Sequence, residues 1–143
     1  MAFGPRKEIW GDLLPDVRAN LTLLAKIISA FEPVTMLVRP EDREIAARLC
    51  GERVELVEAP LDDLWIRDTG PIVVVNRAGR LGAVDLNFNG WEKKQAHKND
   101  VKVARFVAGK ASATSLKSEL VGEGGGTEVD GHGTATMRLP ETC

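Results

Sequence analysis

Apolar residues recur at helical spacing between Val17 and Phe31: Leu21, Leu24, Ile27, Ile28 and Phe31 predict an amphipathic helix there. Val34 to Val38 is a short apolar run and reads as a strand. Pro40, Glu41 and Asp42 suit the first turn of a second helix, where a missing N–H costs little and carboxylates meet the positive end of the helix dipole. Gly51 can close that helix, and Val54 to Ala59 predicts the next strand. Ile72 to Asn76 is β-branched, Arg77-Ala78-Gly79 is a turn signal, and Leu81 to Phe88 can return as a partner strand, so a hairpin is expected. Asp100 can cap a helix running to about Ala108, and Leu116 to Val121 reads as extended. The block GEGGGTEVDGHGT follows, with Asp130-Gly131 as a tight-turn dipeptide.

Helices and strands alternate, but some strands are neighbours in sequence. The fold class is therefore α/β, and a simple parallel doubly wound sheet is excluded. No exact repeat, linker or interior boundary is visible, so residues 1–143 read as one domain.

Charge narrows the partners. A net charge of −2 and a pI near 5.7 argue against nucleic acid or an anionic membrane. Lys93, Lys94, Lys98, Lys102, Arg105 and Lys110 are interrupted by Asp100 and read as a solvated helix flank. The opening MAFGPRKEIWG lacks an apolar stretch of signal-peptide length, and Lys26 breaks the apolar run from Leu21 to Phe31. A cytoplasmic protein is expected. Cys50 reads as a small buried apolar residue, and Cys143 is terminal and poorly preorganised as a nucleophile. No CxxC pair or Cys/His spacing points to a metal, and no cofactor is expected.

The candidate chemistry lies in DDLWIRDTGP, Asp62 to Pro71. Read as an extended run, it places Asp63, Trp65 and Arg67 on one face and Asp62, Leu64, Ile66 and Asp68 on the other. A carboxylate beside an indole suits a planar cation, which donates a two-pronged hydrogen bond to the carboxylate and stacks on the ring. An internal salt bridge from Arg67 to Asp63 or Asp68 explains the same residues equally well. Gly124 to Gly126 lack the lysine and Ser/Thr of a phosphate-binding loop. They suit a close approach of two backbones, or of a backbone and a ligand.

Three blocks occur in order: DDLWIRDTGP, VDLNFNGW (Val84 to Trp91) and EGGGTEVDGHGT (Glu123 to Thr134). Together they resemble the agmatine deiminase and bacterial-type peptidylarginine deiminase family, and the resemblance covers nearly the whole chain. It implies a pentein, an α/β propeller of ββαβ-like units around a central channel, of which this chain would be the N-terminal part. It also implies hydrolysis of a guanidine C–N bond through a cysteine thiolate, with two carboxylates gripping the guanidinium and a histidine moving protons. No metal or organic cofactor is implied. By position, Asp63 and Asp130 match the two guanidinium-binding aspartates, while Trp65, Arg67 and Asp68 match the rest of the first motif as pocket wall and orienting network.

Two positions depart from the family pattern. Glu128 stands where the family has its histidine, and could carry a proton if burial or Asp130 raised its pKa. His132, beyond the turn, is expected to be solvent-exposed, and His97 to be structural or solvated. Nothing matches the family's nucleophilic cysteine motif, so the chain by itself is expected to be inactive. A partial pentein would also expose strand edges and tend to self-associate. The alternative reading is a non-catalytic guanidine-binding or assembly module.

Overall fold

The computed structural model describes residues 1–137 and divides the chain into two compact units, Met1–Leu64 and Trp65 onward. The boundary falls inside DDLWIRDTGP, where the sequence shows no linker.

The first unit is built on a three-stranded parallel sheet in the order β1 (Ala2–Phe3), β2 (Val34–Val38), β3 (Val54–Glu58). Ala2 pairs with Leu37, and Val34 through Val38 pair with Val54 through Glu58. The strand β2 is central and buried along nearly its whole length, which explains its unbroken apolar run. Helix α1 (Lys7–Trp10) and a 3₁₀ turn, Gly11–Leu13, lead into α2 (Leu14–Ile28), which carries proline in its first turn. A further 3₁₀ turn, Pro40–Asp42, opens α3 (Arg43–Cys50), and Gly51 closes it with φ 75°. The core gathers Phe3, Ala25, Val34, Met36, Val38, Ala46, Cys50 and Val54. Cys50 is thus the small buried residue the sequence suggests.

The orientation of α2 is not what its apolar stripe suggests. Thr22, Ala25 and the partly buried Ile28 face the core, whereas Leu23, Leu24 and Ile27 are exposed. Small residues face the sheet because the helix lies close to it, and the larger apolar side chains are turned outward.

A buried ionic cluster ties the first unit together. The Arg39 guanidinium donates to the Asp42 carboxylate and, at 3.3 Å, to the Pro5 carbonyl. Arg18 donates to the other Asp42 oxygen at 2.8 Å and lies over the Phe3 ring, 5.6 Å from its centroid.

In the second unit, helix α4 (Ile66–Thr69) precedes the antiparallel pair β4 (Ile72–Val75) and β5 (Leu81–Asp85). Asn76 makes the intervening turn, its side-chain oxygen accepting from the Ala78 and Arg80 amides. After the short turn α5 (Gly90–Lys93), helix α6 (Val103–Lys110) crosses to β6 (Thr114–Lys117), which pairs parallel with β5. The segment β4-β5-α6-β6 is therefore a ββαβ unit. Asp100 does not cap α6; it is buried inside a 3₁₀ turn, Asp100–Lys102, whose cap position is Asn99. Finally β7 (Thr127–Val129) and β8 (Ala135–Met137) form a hairpin closed by the Asp130-Gly131 turn.

The segment Asp62 to Pro71 is not a strand. Residues 66–69 wind into α4, closed by the Gly70 amide donating to the Ile66 carbonyl at 2.9 Å. The two-faced alternation read from the sequence does not form.

Candidate active site

Within the first unit, the chain from Leu61 to Asp63 is enclosed. Asp63 is 1% exposed, and the Trp10 indole N–H donates to its Oδ1 at 2.9 Å. A Cβ on Gly4 would lie 2.3 Å from the Asp63 carbonyl oxygen, so only glycine lets the chain leaving β1 run this close. Arg6 donates to the Leu61 carbonyl at 2.9 Å and to Asp62 Oδ1 at 3.4 Å. The Asp63 carboxylate therefore has a fixed orientation. Trp10, which sets it, carries no motif signal that the sequence alone reveals.

Within the second unit, α4 separates the roles of its side chains. Asp68 Oδ1 accepts from the Gly125 backbone N–H at 3.0 Å. A Cβ on Gly125 would fall 2.1 Å from that same oxygen, and one on Gly124 would fall 2.3 Å from the Arg67 carbonyl. The glycine block is thus where one backbone packs directly on another, as its composition suggests. Partial burial pushes the Asp68 carboxyl above the ordinary aspartate range, with the Gly125 N–H and the Arg67 charge pulling back. Arg67 donates to the Thr127 carbonyl at 3.3 Å and to Glu128 Oε1 at 3.2 Å. Its hydrogen bonds go to the third block, not to Asp63 or Asp68.

Glu128 is exposed over 78% of its side chain, so the burial proposed to make it a proton carrier is not met. Asp130 sits at the head of the hairpin turn. Its Oδ1 accepts from the His132 N–H at 2.7 Å and the Thr134 N–H at 3.0 Å. Those donors, His132 first, hold its carboxyl below the usual range. His132 is itself exposed in the turn. Glu128, Val129, Asp130, Thr134 and Thr136 line a shallow groove along this hairpin.

The second block contributes an aromatic cluster. Trp65 meets Trp91 edge to face, with centroids 5.9 Å apart and planes at 89°. Trp91 meets Phe88 at 5.0 Å, and Phe88 meets His97 at 6.3 Å. His97 is therefore packed, as expected of a structural histidine. Trp91 is held by a backbone that runs left-handed through Gly90, Trp91, Glu92 and Lys93, with φ between 51° and 70°. The Asn89 side chain accepts from the Glu92 amide at 2.9 Å and anchors this turn. Nothing in the residue types, two of them charged, signals that conformation.

The remaining cysteine positions divide. Cys50 is buried in the first unit's core and its thiol is pushed up by that burial, with Lys26 opposing weakly. Cys143 lies outside the described residues. Among the described residues, no three His, Cys, Asp or Glu side chains gather as a metal-ligand set. No described helix is long and apolar enough to cross a membrane.

This arrangement has relatives. A Streptomyces coelicolor protein, whose agmatine deiminase name is provisional, is 44% identical over 126 residues, covering 87% of this chain and 37% of its own length. The agmatine deiminase of Ectopseudomonas mendocina is 37% identical, covering 94% of this chain and 38% of its own. Among solved structures, the agmatine deiminase of Enterococcus faecalis superposes with a TM-score of 0.88 at 29% identity, over 96% of this chain and 39% of that one. The chain therefore spans under two fifths of the length of these relatives. A profile for the Porphyromonas-type peptidyl-arginine deiminases matches residues 1–139, and the chain belongs to that family.

Proposed function

We propose that this chain carries guanidine-binding elements of a hydrolase that cleaves a guanidine C–N bond. The substrates proposed are agmatine, giving N-carbamoylputrescine and ammonia, or an arginine side chain, giving citrulline and ammonia. The observation that carries this reading is the α4 turn. Asp68, its carboxylate fixed on the Gly125 N–H, and Trp65, at the cap of the same turn and fixed edge to face on Trp91, are joined by the Asp68 N–H donating to the Trp65 carbonyl at 2.9 Å. A carboxylate and an indole held so firmly suit a planar cation, and binding loses little entropy when the groups are already ordered.

In this reading Trp65, Arg67 and Asp68 hold the substrate, with Arg67 steadying the third block. Asp63 and Asp130 are proposed as the paired guanidinium carboxylates on their motif match. Glu128 is proposed for the proton-carrying position, and to serve there it must leave Arg67. The ββαβ unit β4-β5-α6-β6 supports a pentein, of which residues 1–143 supply the N-terminal portion. A cytoplasmic setting and a place in putrescine and polyamine synthesis go with that substrate.

Catalysis requires a thiolate to attack the guanidinium carbon and expel ammonia, followed by water to release the ureido product. Cys50 cannot serve, because its buried thiol stays protonated and shielded. The chain alone is therefore proposed to bind without turnover.

Calorimetry with agmatine and with arginine tests this. Heat of binding, together with a rise in melting temperature at millimolar ligand, is expected for the intact chain and lost in Asp68→Asn. Silence in both measurements overturns the binding role. Ammonia release from agmatine, abolished by Asp63→Ala, overturns the inactivity.

A further inference from the structure

The left-handed turn Gly90–Lys93 holds Trp91 against Trp65, and His97 packs directly on that turn. Its Nδ1 lies 2.8 Å from the Gln95 carbonyl oxygen. A carbonyl only accepts, so Nδ1 carries a proton and donates it. Gly90 covers this hydrogen bond: a Cβ there would fall 2.3 Å from Nδ1 and 2.5 Å from the Gln95 oxygen. The Gln95 amide in turn donates to the Gly90 carbonyl at 3.2 Å and closes the loop. His97 is itself well anchored. Its carbonyl accepts from the Val101 amide at 3.1 Å, in the 3₁₀ turn ahead of α6, and its ring meets Phe88 edge to face. Phe88 is buried and meets Trp91 in the same manner.

We propose that His97 is a positioning residue for the aromatic wall of the guanidine site: it locks the turn that sets Trp91, and Trp91 sets Trp65. The inference rests on the binding role proposed above for Trp65. Trp91, Glu92 and Lys93 stand in a left-handed region that their side chains disfavour, so the turn persists only while its surroundings over-determine it. Asn89 holds its start through the Glu92 N–H, and His97 holds its end through the Gln95 carbonyl. Without the Nδ1 donor the strain has less to oppose it and Trp91 can swing away. Trp65 then loses its edge-to-face partner, and a cation must order the ring as it binds.

Circular dichroism reads the coupling of the Trp65 and Trp91 indoles, with Trp91→Phe identifying the band, and calorimetry with agmatine reads the site. His97→Asn keeps a donor on Cγ, where Nδ1 sits; His97→Gln carries it one atom further, and His97→Phe removes it. In His97→Gln and His97→Phe the coupling is expected to vanish while cooperative melting persists. The agmatine Kd is expected to rise about threefold to tenfold, the size of one aromatic contact. His97→Asn is expected to return both toward the parent. Should His97→Phe lose cooperative melting, the comparison of Asn with Gln carries the test. Coupling that survives in His97→Gln overturns the proposal whether or not agmatine binds. So does an Asn variant no better than Gln, or coupling lost with the Kd unchanged. A parent chain that is silent to agmatine yet keeps the coupling overturns instead the binding role of Trp65, and with it the part of His97 in that role.

Discussion

The two units treat their polar groups in opposite ways. In the first, charge is enclosed and matched: Arg39 and Asp42 are each 6% exposed and bound to each other, and Asp63 is sealed under Trp10. The second buries Asp85 and Asp100 but displays the charges of its motif residues. Arg67 and Glu128 pair in the open, Asp130 heads an exposed turn, and the backbone from Gly90 to Lys93 is held left-handed. Enclosure gives rigidity and a single arrangement. Display and strain leave side chains able to meet something else, and such features concentrate where function is carried. The first unit thus holds its candidate residue Asp63 in one orientation, whereas the second leaves Arg67, Glu128 and Asp130 accessible.

The largest effect expected from breaking this contrast comes from Asp42→Ala. It strands the Arg39 and Arg18 guanidinium groups in a buried setting, and removing one partner of a buried pair costs about 3–5 kcal/mol. Urea unfolding should show the midpoint falling steeply. A loss below about 1 kcal/mol, the size of an exposed pair, would mean the cluster is not what rigidifies the first unit.

A smaller, more local effect is expected at Gly124→Ala. The new Cβ would meet the Arg67 carbonyl, a backbone atom that cannot swing aside, and overpacking of this kind costs about 1–3 kcal/mol. Hydrogen exchange should show amides of α4 and of the Gly124–Gly126 turn losing protection while β2 keeps its own. Equal loss in both units would break the distinction between them.

These two sites also mark how far the sequence could be read. The strand β2, the helix α3, the β4-β5 hairpin and the role of Gly124 and Gly125 were legible, because each follows from a local rule. A buried parallel strand must be apolar throughout, proline and carboxylates suit a helix start, and consecutive glycines permit contact. The first motif was not legible as a helix. Its alternation satisfied a strand, and what winds it is the Ile66–Gly70 hydrogen bond and the packing of Asp68 on Gly125, 57 residues away in sequence. Periodicity also revealed that α2 has a stripe without saying which way it points. Thr22 and Ala25 decided that, through the closeness of the sheet. The left-handed turn at Trp91 was invisible because Glu92 and Lys93 occupy a conformation their side chains disfavour.

Glu92→Gly sharpens the point with the opposite sign. Relief of about 1–2 kcal/mol of left-handed strain is offset by the greater freedom of glycine in the unfolded chain, so a net gain of about 0.5–1 kcal/mol is expected. The Asn89 side chain still accepts the residue 92 amide, so the turn persists. Differential scanning calorimetry should show a higher melting temperature. A lower one would mean the Glu92 side chain contributes more than the strain it carries.

The smallest effect separates two carboxylates inside the second unit. Burial holds the folded-state pKa of Asp68 above its unfolded value, so its contribution to stability is full below the ordinary aspartate range and is lost as pH rises through the raised value. The His132 and Thr134 amides hold Asp130 below its unfolded value, so its contribution is present above the ordinary range and is lost as pH falls through the lowered value. Melting temperature followed through the acid range should therefore lose its decline on the alkaline side of the ordinary aspartate pKa in Asp68→Asn, and lose part of its decline on the acid side in Asp130→Asn. Asp130 is exposed and Asp68 only partly buried, so both slopes are shallow, and carbon-13 titration of the two carboxyls gives the direct reading. Displacement in opposite directions is expected. Displacement in the same direction would mean that Gly125 grips Asp68 as the turn grips Asp130, leaving Asp68 a structural cap rather than a carboxylate held ready for a cation.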